Sequence, residues 1–248
     1  MRPQYDRNAL PKATDAIPCD TCPVREISVC SILPREQRKQ IALKSHNRHA
    51  AKGDVLAVEG DRAAQIASVT SGVIKMTKTL SDGRQQIVGL AFPSDMVGRP
   101  FATDNTVRVE AATDTTLCSF DRAHFEQLLK EHPAFEGLLL RMKLDELDAA
   151  KEWMLLLGRK SAKERVASFL SMLADRQLAP DGTRLPRTSP ITFELPLSRA
   201  EIADYLGLTL ETVSRQVSKL RELGVIVIED GRTVSVPDRQ KLAALSGN

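Results

Sequence analysis

Between Ser198 and Val236 the chain carries an ordered run of signals that few folds can satisfy. Ser198-Arg199-Ala200-Glu201 has the form of a capping box, a serine that accepts from the helix's third backbone N–H and a glutamate that reaches back. Ile202, Ala203, Tyr205 and Leu206 give this helix an apolar face, and Gly207 ends it with the residue best suited to left-handed backbone. Thr209 is placed to cap a second helix, Leu210 to about Leu223. On it Val213, Val217 and Leu220 face inward, leaving Glu211, Ser214, Arg215 and Ser218 on the other side. Val225-Ile226-Val227-Ile228, the turn Glu229-Asp230-Gly231-Arg232 and Thr233-Val234-Ser235-Val236 then read as a β-hairpin. Two short helices joined at a glycine, with a hairpin directly behind, describe a winged helix-turn-helix.

The exposed residue types on the second helix suit base reading. Arg215 can donate two hydrogen bonds to guanine, Glu211 can accept from a cytosine amino group, and Ser214 can touch a base or phosphate. Arg199, Lys219 and Arg221 are candidate phosphate contacts, although a solvated surface charge accounts for each equally well. The implication of double-stranded DNA as a partner comes from this local pattern. A formal net charge of +3 is too small to carry it.

Upstream the pattern differs. The first eighteen residues are polar and contain proline, which predicts a loose arm, and Pro34 to Lys44 predicts a short helix. Short β-prone runs follow at Val55–Val58, Ile66–Val69 and Val73–Met76, separated by Glu59-Gly60-Asp61 and Ser71-Gly72. A hairpin is expected from Val73–Leu80 through Ser81-Asp82-Gly83 to Gln85–Phe92, with further strands at Val107–Val109 and Thr116–Phe120. Short antiparallel strands at this spacing predict a compact barrel or roll. From about Asp121 the period becomes helical, breaks near His132-Pro133, and resumes from Ala134 to Gly158. Leu140, Leu144, Leu147, Met154 and Leu157 recur along that run. A helix this long spans about 37 Å, and its apolar stripe is expected to bury against a second copy; packing only on its own roll is the other reading. Ser161-Ala162-Lys163-Glu164 opens another helix through about Ala174, and Arg176 to Pro190 predicts a loop.

The chain has four cysteines, and Cys19, Cys22 and Cys30 crowd into twelve positions while Cys118 stands apart. No apolar run approaches the length that spans a bilayer, and the N-terminus lacks the apolar stretch of a secretion signal. The expectation is a cytoplasmic protein with no membrane partner. In a reducing compartment this three-plus-one pattern fits a metal or cluster site better than disulfides. His46, His49, His124 and His132 show no ligand spacing with the cysteines. No nucleophile–base set or phosphate-cradling glycine loop is visible, so the chain is expected not to be an enzyme; a thiol oxidoreductase or cluster-bearing catalyst is the rival from another class.

Taken together, Glu211-Thr212-Val213-Ser214-Arg215, Tyr205-Leu206-Gly207-Leu208-Thr209 and Leu155-Leu156-Leu157 resemble the CRP/FNR family of bacterial regulators, FNR branch, over nearly the whole chain. The resemblance implies an α+β fold: an arm with the cysteine cluster (1–33), a cyclic-nucleotide-binding-type β-roll as sensor (34–132), a long dimerisation helix (133–160) and a winged helix-turn-helix (161–248). It implies a homodimeric activator reading two-fold TTGAT-type sites through Glu211, Ser214 and Arg215. It also implies a 4Fe–4S cluster on Cys19, Cys22, Cys30 and Cys118, active when oxygen is scarce, with a Cys₄ zinc site or a thiol-based signal as the alternatives. The gap between Cys22 and Cys30 is wider than the commonest family spacing, and Pro23 lacks a backbone donor; a flexible loop is expected to absorb both. The Ser81-Asp82-Gly83-Arg84 tip resembles a surface presented to RNA polymerase, although an ordinary turn reads the same. Ala150 stands where an aspartate often opposes pairing, so among Leu140, Leu147, Ala150, Met154 and Leu157 the dimer contact is expected to be tighter than in such relatives, unless Asp148 or Glu152 supplies the repulsion instead. No cyclic nucleotide is expected. The stretch Ser94-Asp95-Met96-Val97-Gly98 and Asn105-Thr106 lacks the family's phosphate-neutralising cation, for which only Arg99 or Arg108 could substitute.

Overall fold

A computed structural model of the chain describes residues 13–14, 19–177 and 185–247. Most of the expected arm, and positions 178–184 of the expected loop, lie outside the described residues. By packing, the chain forms two compact units. One takes the described residues up to Gly83 with Val88–Leu139, the other Arg84–Ile87 with the described residues from Leu140 onward.

The first unit opens with β1 (Ala13–Thr14), two single 3₁₀ turns at Cys19–Thr21 and Val29–Ile32, and α1 (Arg35–Lys44). Strands follow as β2 (Ser45–Ala50), β3 (Val55–Ala57), β4 (Gln65–Ser71), β5 (Ile74–Thr79), β6 (Gln85–Ala91, whose first three residues count with the second unit), β7 (Met96–Val97), β8 (Arg108–Ala111) and β9 (Thr115–Asp121), then α2 (Arg122–Glu131). They form two sheets, ordered β1-β2-β9-β4-β7 and β3-β8-β5-β6. The core lies between the sheets: Ala50, Val69 and Leu117 from one meet Ile74, Val109 and Ala111 from the other. Strand alternation therefore turns Leu117 inward and its neighbours Cys118 and Phe120 to the opposite face. Gly72 makes the turn into β5 at φ 81°, where a Cβ would lie 2.3 Å from the Asp114 carbonyl oxygen. Asp121 caps α2 by accepting from the backbone N–H groups of Ala123 and His124, an arrangement worth about 1 kcal/mol.

The second unit takes most of α3 (Pro133–Arg159), then α4 (Ala162–Asp175), β10 (Ile191–Glu194), α5 (Arg199–Leu206), α6 (Leu210–Glu222), β11 (Val227–Glu229), β12 (Thr233–Val236) and α7 (Arg239–Ala244). Both capping boxes close in both directions. Ser161 and Ser198 accept from the Glu164 and Glu201 backbone N–H groups at 3.4 and 3.3 Å, and the two carboxylates accept from the serine N–H groups at 2.7 and 2.8 Å. Gly207 ends α5 in left-handed backbone at φ 61°, ψ 44°. The wing is a three-stranded sheet, β10-β12-β11, with Asp230 and Gly231 at positive φ in its turn. Arg239 of α7, almost fully buried, donates to Asp175 and to the Pro186 carbonyl.

Candidate functional site

The face of α6 opposite its core anchors is open. Val213 and Leu220 are fully buried and Val217 nearly so, while Glu211, Ser214, Arg215, Lys219 and Arg221 are exposed and Ser218 half-exposed. Thr209 caps the helix by accepting from Thr212 N at 3.2 Å. Its first turn therefore presents side chains and the positive end of the helix dipole together. The Glu211 carboxyl is held below its usual range, first by its own backbone N–H and then by the Thr209 side chain. It is ionised at neutral pH and acts only as an acceptor. Arg199 opens α5 half-buried, with Nη1 buried and unpartnered, and burial holds its pKa below the ordinary value.

Two groups in this unit that sequence reasoning missed tie the end of α3 to the reading unit. Arg165 donates from Nη2 to Leu157 O at 2.7 Å, from Nη1 to Leu206 O at 3.0 Å and from Nε to Lys160 O at 3.0 Å. One side chain thus satisfies carbonyls at the ends of α3 and α5 together. Trp153 of α3 stacks on Tyr205 of α5, with centroids 4.3 Å apart and planes at 22°. Neither contact has a signature in residue spacing.

Along α3, Leu140, Leu144, Leu147 and Met154 are 51–73% exposed, an unusual density of apolar surface for one helix. Ala150 is exposed too, whereas Leu157 is half-buried, its Cδ2 3.8 Å from where a Cβ on Gly207 would lie.

The four cysteines share one cavity of about 40 Å³ in the first unit. A water needs roughly 10–15 Å³ of such space, so the cavity has room for a small group. Cys118 reaches it from the outer face of β9, where β2 and β4 place Asn47 and Ser68 beside it in register. The other three come from the segment before α1. There the wide gap between Cys22 and Cys30 is folded, contrary to the flexible loop expected. Arg25 N and Ser28 N donate to Cys22 O and Val24 O, Val24 and Val29 are 2% exposed, and Ser28 Oγ accepts from Cys30 N at 3.3 Å. Apolar residues with no place in the spacing argument anchor this loop. Phe120, Phe125 and Phe135 complete the wall, and Phe135 lies in the first turn of α3.

Burial pushes the Cys30 thiol up to about 12 and Cys118 up to about 11. Cys19 is raised as well, first by burial and then by Cys22. Cys30 feels the charge of the other three, so the sulfurs interact electrostatically. An all-thiol donor set in an apolar shell suits an iron–sulfur cluster or a Cys₄ zinc ion. Around a single zinc, bonds of about 2.3 Å hold the sulfurs roughly 3.8 Å apart. Among the described residues no three His, Cys, Asp or Glu side chains are drawn together closely enough to hold a metal ion.

None of the histidines lines this cavity. His49 bonds to Thr116 Oγ1 and His124 lies 4.0 Å from Asp121. In the roll, Arg99 is exposed and Arg108 is paired with Glu110. Ser81 and Asp82 at the hairpin tip are exposed.

Two family models match: a Crp-like helix-turn-helix domain over residues 164–245 and a cyclic nucleotide-binding domain over 47–132. The chain is 45% identical to the transcriptional activator protein FnrL of Cereibacter sphaeroides, with 93% of this chain and 92% of that one covered. It is 44% identical to a probable transcriptional activator of Rhizobium leguminosarum bv. viciae, covering 91% and 92%. Among solved structures, FixK2 from Bradyrhizobium japonicum matches at 35% identity and a TM-score of 0.72, over 81% of this chain and 96% of that one.

Proposed function

The chain belongs to the CRP/FNR family of DNA-binding transcription regulators, and from that premise we propose that it is an oxygen-responsive activator. In this reading it works as a homodimer on two-fold TTGAT-type sites, and Cys19, Cys22, Cys30 and Cys118 hold a 4Fe–4S cluster. The observation that carries the reading is the shared cavity, in which Cys118 joins three cysteines far from it in sequence and all four meet Phe135 of α3. A bound cluster would supply iron–thiolate links that oxygen can break. The chain's own residues do the rest. Cys19, Cys22 and Cys30 fasten the segment before α1 to Cys118 on β9, and Phe135 makes the start of α3 part of the same packing. The exposed stripe of α3 pairs two copies. Relatives named as activators support contact with RNA polymerase, for which the exposed Ser81-Asp82-Gly83-Arg84 tip is the candidate surface.

Protein purified without oxygen is expected to be brown, to contain iron and sulfide in equal amounts, and to bind its site as a dimer. Air should bleach it and weaken DNA binding in step. A colourless protein with one zinc per chain would replace the cluster with the zinc reading, and a DNA affinity indifferent to cluster decay would end the oxygen mechanism.

The open face of α6 sets a second expectation. Arg215→Ala should lose about 1–3 kcal/mol of discrimination at one base pair per half-site. Lys219→Ala should instead weaken all sequences about equally and flatten the salt dependence. Titrations against matched and singly substituted sites at several salt concentrations measure both. An unchanged matched-to-mismatched ratio in Arg215→Ala would put the reading face elsewhere.

A further inference from the structure

Two buried donors face the cysteine cavity without an acceptor. Ser68 lies in the middle of β4, 7% exposed, and its Oγ has no hydrogen-bond partner. Ala67 and Val69 on either side turn into the core, so the pleat turns Ser68 to the cavity, directly opposite Cys118 in the strand register. Arg38 of α1 is fixed by donation from Nη1 to Leu33 O at 2.6 Å. Its Nε is buried and unpartnered, and its charge is felt at Cys19. Buried polar groups in folded proteins are almost always paired, and an orphan asks for an explanation. Here two orphans from different elements line one cavity with the four cysteines; of its other polar residues Arg25 can only donate, and Ser28 and Asn47 are already engaged. A neutral thiol is a weak acceptor; an anionic sulfur is a strong one.

We propose that the Ser68 hydroxyl and the Arg38 Nε–H are hydrogen-bond donors to anionic sulfur, thiolate or bridging sulfide, of the group the four cysteines hold, and that they set how readily it is oxidised. This rests on the cluster reading above. The physical ground is that hydrogen bonds to sulfur withdraw electron density and stabilise the electron-rich state, one of the levers by which a protein sets an iron–sulfur potential. Donors here therefore make the site slower to yield to oxygen, and losing them makes it quicker.

The test compares full-length wild type with Ser68→Ala, Ser68→Thr and Arg38→Lys, all purified without oxygen. The readouts are iron and sulfide content, midpoint potential by optical titration, and the rate of bleaching in air. Ser68→Ala removes only the hydroxyl. It is expected to keep full iron and sulfide, show a lower potential and bleach several-fold faster, while Ser68→Thr, which restores a donor, stays near wild type. Arg38→Lys keeps the charge but lacks Nε–H, and is expected to shift in the same direction as Ser68→Ala. A fully loaded Ser68→Ala and Arg38→Lys with unchanged potential and bleaching would overturn the inference while leaving the cluster in place. Wild type without iron or sulfide would remove both.

Discussion

Replacing Cys30 or Cys118 with serine is expected to abolish the visible absorption and the iron and sulfide content, and to drop DNA affinity in the absence of oxygen to that of the air-exposed protein. Taking a population from almost wholly competent to almost wholly incompetent requires a preference of about 10⁴-fold, or about 5.5 kcal/mol. The remaining ties of the segment before α1 are weaker than that. The Arg35–Asp20 pair is exposed, and such pairs contribute about 0–1 kcal/mol. Val24 and Val29 are buried at about 1.5–3 kcal/mol each, against an ordering cost of about 1–2 kcal/mol for every backbone residue fixed. Cys118 lies outside the core between the sheets, so the roll should fold without its thiol. Circular dichroism melting serves as that control, beside metal analysis and binding titrations. Serine variants that fold, lack iron and still bind DNA like wild type would uncouple the cysteines from regulation.

Leu147→Glu is expected to give a monomer that fails to bind a two-fold site. Pairing about a two-fold axis brings the same patch of each copy together, so one substitution removes two leucines and places two carboxylates in the seam. Burying an unpaired charge is far costlier than losing the apolar contact alone. In the isolated chain Leu147 is 52% exposed, so the fold of each copy should be untouched. Sedimentation equilibrium reads the association and titration reads the binding; a variant that remains dimeric and binds normally would remove α3 from the account. Asp148 is one acidic residue that could oppose pairing in place of an aspartate at 150. It is paired with Lys151 on its own helix at 2.7 Å; Glu152, also exposed, is the other.

What could be read from the chain was local. Both capping boxes, the Gly207 stop, the core anchors of α6 and the long α3 depend on residues within a turn or two of one another, and each forms as its spacing requires. β2 escaped because Ser45-His46-Asn47-Arg48-His49-Ala50 offers no apolar alternation. It is a strand because β9 pairs along its whole length, and tertiary pairing overrode composition. β10 and α7 were missed for a similar reason, being short pieces completed by β12 and by the Arg239–Asp175 pair. The cysteines were visible as a set, but the route that brings Cys118 to the other three is a matter of sheet register. Ser68 and Arg38 left no trace at all. A serine between Ala67 and Val69 looks like any strand residue until the face it turns to is known.

The stack of Trp153 on Tyr205 has a practical consequence. Trp153 is the single tryptophan of the chain, and it sits where the far end of α3 meets the first helix of the DNA-reading unit, against the ring it touches most closely. Excitation at the red edge of the indole band, beyond tyrosine absorption, therefore addresses one place in each copy, with no label to introduce. Any parting of α3 from α5 unstacks the indole and changes its quantum yield and lifetime. The protein carries an optical gauge at the joint, legible in real time from the moment air enters the cuvette.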